Sequence, residues 1–317
     1  MQMEWITPAE VPQVRNTPVY GTGPWLACVA EVSPIPLRIL ALRDEGQIVA
    51  WHPFLEMKRG PLRRALPLWV QTTGGPYYAF PESVSFSERA RWLRQVQAEM
   101  FQALASHAHF ATLVPYESDP RNLAPHWKVS IRATARLDLN LLPAPLGEQA
   151  LRKLRKAQNK GLTLARSQNS QSVSDAIEAV QSRHHMHHAL SSAKVNELRL
   201  RLEAQSLVET WVVSDVNGQE VAFGVVALDP GQDSALMWYP LSTNAALKLY
   251  AADFLFGKLA EVYRGRFRWL DLCGTDLTNL IEFKEKWASE TVYSFAYEFV
   301  RNRALQVALR AFSALRR

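Results

Sequence analysis

The first half of the chain alternates between strand and helix patterns. Segments with β-branched and aromatic residues lie on either side of Asp44–Gly46, which predicts a β-hairpin with a tight turn. From Phe86 to His107, apolar residues recur at the period of an amphipathic helix. Strand-like segments follow at 111–116 and 128–139. The proline-containing stretch 140–149 interrupts this order and predicts a domain boundary.

The second half predicts a longer series of elements. A basic helix runs from Glu148 to Lys160, with Gly161 as its C-cap, and leads into a short strand. One helix is predicted from Ser174 and another over Asn196–Gln205. Three strands joined by tight turns, a long helix, a strand, a short helix and a final strand follow, at 207–215, 220–229, 234–241, 245–263, 266–272, 279–287 and 291–300.

Composition indicates a folded globular protein with more than one domain. Of 317 residues, 48% are hydrophobic and 21% are charged, as in ordinary globular chains. Cys28 and Cys273 form neither a CxxC pair nor a disulfide framework, which favours a reducing compartment. The N-terminus lacks the basic start and apolar run of a secretion signal. The longest uncharged stretch, Ala65–Pro81, contains Gly-Gly-Pro and does not suit a membrane helix. We therefore expect a cytoplasmic protein.

The net charge of +6 is concentrated in two segments. Residues 152–166 hold six basic residues and no acid, and residues 301–317 hold five arginines and no acid. The second segment has the pattern of an amphipathic helix. One interpretation is a phosphate-rich partner, such as a nucleotide-linked substrate, a tRNA or an anionic membrane surface. The other is a terminal helix that packs through its leucines and leaves its arginines in water.

The element order of the second half resembles the GNAT acyltransferase fold. The basic helix and strand at 151–166 resemble the opening of the second domain in the Fem-type transferases, which have two tandem GNAT-like domains. Residues 268–287 resemble that family's "yDlxG" segment followed by "lxxFKxxFG". Residues 16–31 and 218–228 also resemble family segments. The resemblance implies an α+β fold with mixed central sheets flanked by helices.

The resemblance also implies a domain division and a class of donor. We expect GNAT-like domains at 1–143 and 144–300, followed by a basic helix at 301–317. Trp287 and Ala288 depart from the family, which usually has Phe and Gly there. No glycine-rich pyrophosphate loop precedes the long helix, so acetyl-CoA is not favoured. We expect no permanently bound cofactor and leave aminoacyl-tRNA, acyl-CoA and acyl-carrier protein open as donors.

The chemistry implied is attack of an amine on an activated acyl group, which needs a neutral amine and a positive group near the oxyanion. Lys284 matches the family's Phe-Lys lysine and is the predicted electrostatic stabiliser; the alternative is a solvated lysine paired with Glu285 or Asp276. Asp271 matches "yDlxG", where it would cap or shape a loop. Tyr239 either faces the acceptor or lies at the edge of the core.

A cluster of basic residues and a cluster of histidines are further candidates. Arg152, Arg155 and Lys156, with Lys153, are predicted to contact phosphates, because a helix with basic groups on several faces cannot bury them all. His184 and His188 lie one helical turn apart in the sequence RHHMHH. No HExxH motif, nearby cysteine or carboxylate completes a zinc site, so we predict no metal. These histidines either accept the proton of the amine or favour a helix C-terminus through its dipole.

The predicted function is an acyl or aminoacyl transferase that forms an amide. Its acceptor would carry an amine on a cell-envelope precursor, a lipid or a polysaccharide intermediate. A second hypothesis is a non-catalytic protein of the same fold that docks an anionic ligand, RNA or a membrane surface. An open channel to Lys284 would favour the transferase, whereas steep salt dependence without an amine acceptor would favour RNA binding.

Overall fold

The structure, a computed structural model, describes residues 1–68, 74–80, 85–121, 127–142, 146–167, 170–183, 190–274 and 278–302. In these ranges the first part of the chain forms β1 (Gln2–Ile6), α1 (Gly23–Val32), β2 (Leu37–Asp44), β3 (Gln47–Arg59), β4 (Leu62–Leu66), β5 (Tyr77–Tyr78), α2 (Phe86–His107), β6 (Phe110–Leu113) and β7 (Trp127–Asp138).

The second part forms α3 (Glu148–Gln158), β8 (Thr163–Arg166), α4 (Ser170–Arg183), α5 (Ser192–Ala204), β9 (Val208–Ser214), β10 (Glu220–Asp229), β11 (Ser234–Ser242), α6 (Asn244–Leu249), α7 (Ala251–Tyr263), β12 (Trp269–Gly274), α8 (Thr278–Glu285) and β13 (Glu290–Val300).

The chain divides into two compact units. Unit 1 comprises Met1–Arg132 and the described residues from Ser294 onward, and unit 2 comprises Ala133–Tyr293. The strands β7 and β13 each cross a division, so each contributes residues to both units. The boundary predicted near residue 143 stays a prediction.

Unit 1 contains a mixed sheet with the strand order β1-β2-β3-β4-β6-β13, and β5 pairs with β3. Its strands are antiparallel except for β4 and β6, which pair in parallel at Arg64–Phe110. The predicted hairpin is confirmed, because Glu45 and Gly46 both have positive φ between β2 and β3. The predicted helix α2 is also confirmed. Its apolar face packs into the unit 1 core with Val96, Met100, Phe101 and Leu104.

Unit 2 contains the strands β7-β12-β11-β10-β9-β8, which pair in that order as a mixed sheet. Only β11 and β12 are parallel among the pairs recorded for its described strands. From β8 onward its elements follow the order strand, two helices, three antiparallel strands, two consecutive helices, strand, helix and strand. This is the GNAT order predicted from the sequence. The α+β class with mixed, helix-flanked sheets is therefore confirmed.

The predicted long helix at 245–263 is wrong as one element, because the structure has two helices there. Tyr250, with φ of 57°, lies in the left-handed region between α6 and α7. A tyrosine in this conformation stops the regular helix, and hydrophobic periodicity alone does not reveal it. The basic helix α3 is confirmed, and Gly161, with φ of 69°, follows it as expected.

The predicted C-terminal helix at 301–317 lies almost wholly outside the described residues. The predicted helix starts at Ser174 and Asn196 are corrected to Ser170 and Ser192. The second start has a local cause, since the Ser191 side chain caps α5 by accepting a hydrogen bond from the Lys194 backbone N–H.

Helices α3 and α7 meet closely in the unit 2 core. A Cβ at Gly257 would lie 2.8 Å from Leu154 Cδ1 and 3.3 Å from the Trp287 ring, so a larger residue would separate the two helices. Ala150, Leu154 and Ala157 form the buried face of α3. This packing leaves the basic side chains on the remaining faces of α3.

Candidate functional site

The candidate site lies in unit 2, where two parallel strands stop pairing. β11 and β12 pair at Ser234–Trp269, Ala235–Leu270 and Leu236–Asp271. Both strands continue beyond this register, and no further pair joins them in the part of the chain that the structure describes. Because ligands in open α/β sheets bind beyond the carboxyl ends of such strands, the residues just past Leu236 and Asp271 are candidates for the site.

The buried carboxylate of Asp271 organises the end of β12. Its Oδ1 accepts hydrogen bonds from Thr134 Oγ1 at 2.7 Å and from the Cys273 backbone N–H at 2.7 Å. Its Oδ2 accepts one from Arg136 Nε at 3.2 Å. These bonds hold Cys273 in the left-handed conformation, with φ of 62°. The loop-shaping role considered for Asp271 agrees with this geometry.

Lys284 meets the same turn from α8. Its side chain is 6% exposed, and Nζ donates a hydrogen bond to the Cys273 carbonyl at 3.2 Å. Lys284 is therefore buried rather than solvated, and the pairing with Asp276 considered as an alternative lies outside the described residues. Asp271 shapes the turn at Cys273, and the carbonyl of that turn orients the Lys284 ammonium. Burial raises the pKa of the Cys273 thiol, so this sulfur stays protonated near neutral pH.

Tyr239 lies on β11, three residues beyond the last β11–β12 pair, and is half-buried. A register shift between Val225 and Val226 of β10 places Tyr239 opposite Val225 and leaves Trp238 as the extra residue on β11. The ring of Tyr239 meets Trp238 edge-on, with centroids 5.2 Å apart. Burial raises the pKa of Tyr239 to about 12, so its hydroxyl can donate a hydrogen bond throughout the neutral range.

Basic side chains of α3 lie near the start of α7. Lys156 Nζ lies 5.7 Å from the centre of the Tyr250 ring, which directly precedes α7. Arg152, Arg155 and Lys156 are exposed, and the structure records no ion pair between them and any described carboxylate. Arg155 instead donates from Nε to the Leu151 carbonyl at 3.4 Å. Three unneutralised cations on one helix are suited to binding an anion.

A buried ion pair that the sequence did not predict joins Asp253 of α7 to Lys286, which directly follows α8. Lys286 Nζ bonds to Asp253 Oδ1, and Trp287 Nε1 donates to the same oxygen at 3.3 Å. Burial lowers the pKa of Lys286, and nearby Lys153 adds to this effect although Asp253 opposes it. Asp253 lies in the first turn of α7, so a protein carboxylate already faces the positive end of this helix dipole.

The departures from the Fem pattern at 287 and 288 have structural explanations. Trp287 is fully buried and packs against Phe256, with ring centroids 6.4 Å apart. Ala288 is not among the residues with positive φ, so its position does not require glycine. The Phe-Lys motif itself is anchored by Phe283, whose ring meets Phe256 edge-on at 5.2 Å.

The predicted bases His184 and His188 lie outside the described residues, as does Asp276. Among described side chains, no three His, Cys, Asp or Glu residues converge as metal ligands. The structure brings together Asp271, Lys284 and the turn at Cys273. The sequence did not reveal Thr134, Arg136 or Asp253, which carry no motif. For Thr134 and Arg136, the alternation of polar residues along β7 was the available sign that they share one face of the strand.

These features define a class of fold. The chain has the tandem GNAT-like fold of the Fem-type transferases, which confirms at the level of the fold the resemblance seen in the sequence. No protein-family model matches the sequence, and no curated protein matches it.

Solved structures share this fold over nearly the whole chain. FemX is 13% identical, with a TM-score of 0.64 over 96% of this chain and 98% of FemX. The C-terminal domain of a protein named as a lysylphosphatidylglycerol synthetase from Agrobacterium fabrum is also 13% identical. Its TM-score is 0.59, over 97% of this chain and 94% of that domain. L-PGS from Bacillus licheniformis has 13% identity and a TM-score of 0.57, over 92% of this chain and 91% of its own. Within the described ranges, no helix is both long and apolar enough to cross a membrane.

Proposed function

We propose that this chain is an acyl or aminoacyl transferase that forms an amide on an amine-bearing acceptor. The observation that carries the proposal is the buried Lys284 ammonium, held by the Cys273 carbonyl where β11 and β12 part. A positive group fixed before the substrate arrives stabilises a developing oxyanion without reorganisation. Together with the fold, this arrangement is suited to acyl transfer.

The reaction proposed is aminolysis of an ester or thioester. The neutral amine of the acceptor attacks the donor carbonyl carbon, a C–N bond forms, and the carbonyl oxygen becomes an oxyanion near Lys284. The C–O or C–S bond to the donor then breaks, and the leaving group takes up a proton as the amine loses one. We assign the uptake of the amine's proton to His184 or His188, because imidazole titrates near neutral pH. Tyr239, whose hydroxyl stays protonated, would orient the acceptor.

The donor proposed first is an aminoacyl-tRNA. The helix α3 carries exposed positive charges that no described carboxylate pairs with, and such charges bind phosphates. They belong to Arg152, Arg155 and Lys156. A CoA pyrophosphate would need backbone N–H groups at the start of α7, yet Asp253 already occupies that end of the helix. Acyl-CoA and acyl-carrier protein are the donors against which the tRNA is compared. No permanently bound cofactor is part of this scheme.

The acceptor class is proposed from the structural relatives. A domain that shares this fold comes from a protein named for a lysylated phospholipid, which supports a lipid as one acceptor class. Phosphatidylglycerol itself offers hydroxyl groups and no amine, so the amine on a lipid, a cell-envelope precursor or a polysaccharide intermediate is our own proposal. With a lipid acceptor, the enzyme would bind peripherally to an anionic membrane surface. We place the reaction in the cytoplasm.

A second candidate function rests on the same α3 charges. A non-catalytic protein that docks RNA, an anionic ligand or an anionic membrane surface would also use Arg152, Arg155 and Lys156. It would have no use for a buried lysine at the parted strands, because polyanion binding requires exposed charge. This difference separates the two hypotheses experimentally.

The test is transfer of a radiolabelled amino acid from aminoacyl-tRNA to a panel of amines, with labelled acyl-CoA and acyl-carrier protein in parallel. Lys284→Met keeps the buried methylene chain and removes the charge, and turnover is expected to fall about 100- to 1,000-fold. Lys258→Met, on α7 and paired with Glu261, is the matched control and should leave turnover unchanged. Polyanion binding without transfer from any donor would support the docking alternative.

A further inference from the structure

The hairpin of β3 and β4 in unit 1 carries a dense positive charge at its exposed end. Residues 58–64, here called the basic hairpin tip, read Lys-Arg-Gly-Pro-Leu-Arg-Arg and contain four basic side chains and no acid. Lys58 to Arg63 form a continuous exposed stretch around the turn at Gly60 and Pro61. A Cβ at Gly60, where φ is 58°, would meet no atom within 4 Å beyond its chain neighbours. The turn therefore projects into solvent.

The register of this hairpin places like charges together. Lys58 and Arg63 are directly opposite each other in the antiparallel pair, so they share one face. Arg59 pairs with Leu62 on the other face, which also carries Arg64. Like charges in directly opposed positions destabilise a pair of strands. Both faces of the basic hairpin tip are thus basic, and the repulsion between Lys58 and Arg63 works against the fold rather than for it.

One buried carboxylate offsets this charge in the described part of the chain. Glu56 Oε2 lies 3.4 Å from Lys58 Nζ and also 3.4 Å from Arg38 Nε. Its other oxygen bonds to His107 Nε2 at 2.8 Å. The remaining basic residues of the tip form no ion pair with any described carboxylate; they are Arg59, Arg63 and Arg64. The tip therefore keeps an excess of positive charge.

A further cation lies close to the basic hairpin tip. The Arg63 backbone N–H donates to His109 Nδ1 at 3.2 Å, and the Arg301 backbone N–H donates to the His109 carbonyl at 2.9 Å. Burial and the positive charges of Arg301 and Arg63 lower the pKa of His109. The Arg301 guanidinium is held by the Ala105 and Ser106 carbonyls at the end of α2, at 3.0 and 2.7 Å. The potential at this end of unit 1 is positive.

An exposed apolar residue at the turn indicates which polyanion fits this charge. Leu62 is 37% exposed, directly follows Pro61, and lies between arginines at 59 and 63. An apolar side chain among cations matches an anionic bilayer, which has charged head groups at its surface and acyl chains just beneath them. RNA favours aromatic rings among the basic residues for base stacking, and residues 58–64 contain none.

We propose that the basic hairpin tip docks on the surface of an anionic membrane. Leu62 inserts between the lipid head groups, and the arginines and Lys58 extend along the interface to bind lipid phosphates. The charge repulsion within the tip is then relieved by the lipids. This docking site belongs to unit 1 alone. It does not rest on the transferase proposal and does not require a lipid acceptor.

The test is co-sedimentation of the full chain with phosphatidylcholine vesicles that contain about 30% phosphatidylglycerol, compared with phosphatidylcholine vesicles alone. We expect binding to the anionic vesicles only, and loss of this binding when NaCl is raised from about 50 to 500 mM. Arg59→Gln and Arg63→Gln should each weaken binding about five-fold, the contribution of one basic residue near such a surface. Leu62→Asn should also weaken binding about five-fold, but without changing its salt dependence.

Control variants make the same chemical changes away from the hairpin. Arg91→Gln, at an exposed position of α2, and Leu200→Asn, at an exposed position of α5, should leave vesicle binding within about two-fold of wild type. The Tm of Arg63→Gln should equal or exceed that of wild type, because the substitution removes the repulsion from Lys58. Weakened binding with an undiminished Tm would separate docking from folding.

Three results would overturn the proposal. The first is absence of binding to anionic vesicles at about 5 mM lipid. The second is vesicle binding that Arg59→Gln and Arg63→Gln retain in full, or that Arg91→Gln weakens equally, since net charge alone would then explain it. The third is binding of a short single-stranded RNA, but not of vesicles, that the hairpin arginine variants weaken and Leu62→Asn leaves unchanged. Because no acyl donor or acceptor is added, these outcomes do not depend on the activity of unit 2.

Discussion

Asp271→Asn tests whether the Asp271 carboxylate builds the turn that positions Lys284. The carboxylate accepts hydrogen bonds from Thr134, Arg136 and the Cys273 backbone. Asparagine keeps one oxygen for Thr134 and Cys273, but it places an NH₂ group against Arg136 Nε. The variant therefore replaces a charge-assisted bond by a contact between two donors and weakens the other two bonds.

The expected magnitude follows from these three bonds. Hydrogen bonds to charged groups contribute about 1.5–3 kcal/mol each, and asparagine retains part of two of them. We expect the free energy of unfolding to fall by about 2–3 kcal/mol. For a unit of this size, that corresponds to a Tm lower by roughly 4–12 °C. Differential scanning calorimetry measures this shift directly, and Asp175→Asn, an exposed change on α4, is the control.

A second assay locates the change. Cys28 and Cys273 are free and buried, so both thiols should react slowly with iodoacetamide. In Asp271→Asn the turn at Cys273 loosens, and Cys273 should be alkylated several-fold faster while Cys28, in unit 1, keeps its rate. A Tm within about 1 °C of wild type, together with unchanged Cys273 labelling, would refute the role assigned to Asp271.

Three further predictions address other parts of the molecule. Burial lowers the pKa of His52 to about 3, so the unfolded chain binds this proton more readily and stability falls as pH drops from about 6.5 towards 3. His52→Leu should remove this dependence and gain about 2 kcal/mol relative to wild type at pH 5, measured by urea unfolding across that pH range. Lys286→Met should lower the free energy of unfolding by about 3–5 kcal/mol, because it leaves the buried Asp253 carboxylate without its ion-pair partner. Adding Asp253→Leu should restore most of this loss, and thermal unfolding measures both changes. Gly21→Ala should lower stability by about 1–3 kcal/mol, because its methyl group would overlap the Tyr77 ring; calorimetry measures this loss.

Each of these predictions has an outcome that contradicts it. An unchanged pH profile in His52→Leu would show that another group titrates in this window. If Lys286→Met alone is as stable as wild type, the buried pair is not required by the fold. For the third, Gly74→Ala is the control, because its nearest contact would be an ordinary 3.5 Å. Equal stability of the two glycine variants would contradict the argument from overlap.

Local patterns in the sequence predicted much of the fold. The hairpin at Asp44–Gly46, the helix Phe86–His107 and the strand Glu220–Asp229 agree with the structure, since each depends on neighbouring residues. The failure at Tyr250 has the same origin. The apolar pattern continues across this residue, and no glycine, asparagine or proline marks the left-handed backbone at Tyr250.

The candidate site was predicted only as residue identities. Lys284 and Asp271 were found through their motif, and α3 through its charge. Nothing in the motif indicates that Lys284 is buried or that its partner is a backbone carbonyl eleven positions away.

The amino-acid sequence by itself therefore determined most of the order of the elements, the basic character of α3 and the residues proposed for acyl transfer. Periodicity and charge are properties of adjacent positions, so they can be read without the fold. The tertiary structure decided which distant groups meet. Thr134 and Asp271 are 137 positions apart, and only the pairing of β7 with β12 places them within hydrogen-bonding distance. Burial and hydrogen-bond partners arise from such long-range contacts, which is why the geometry around Lys284 appears only in the folded chain.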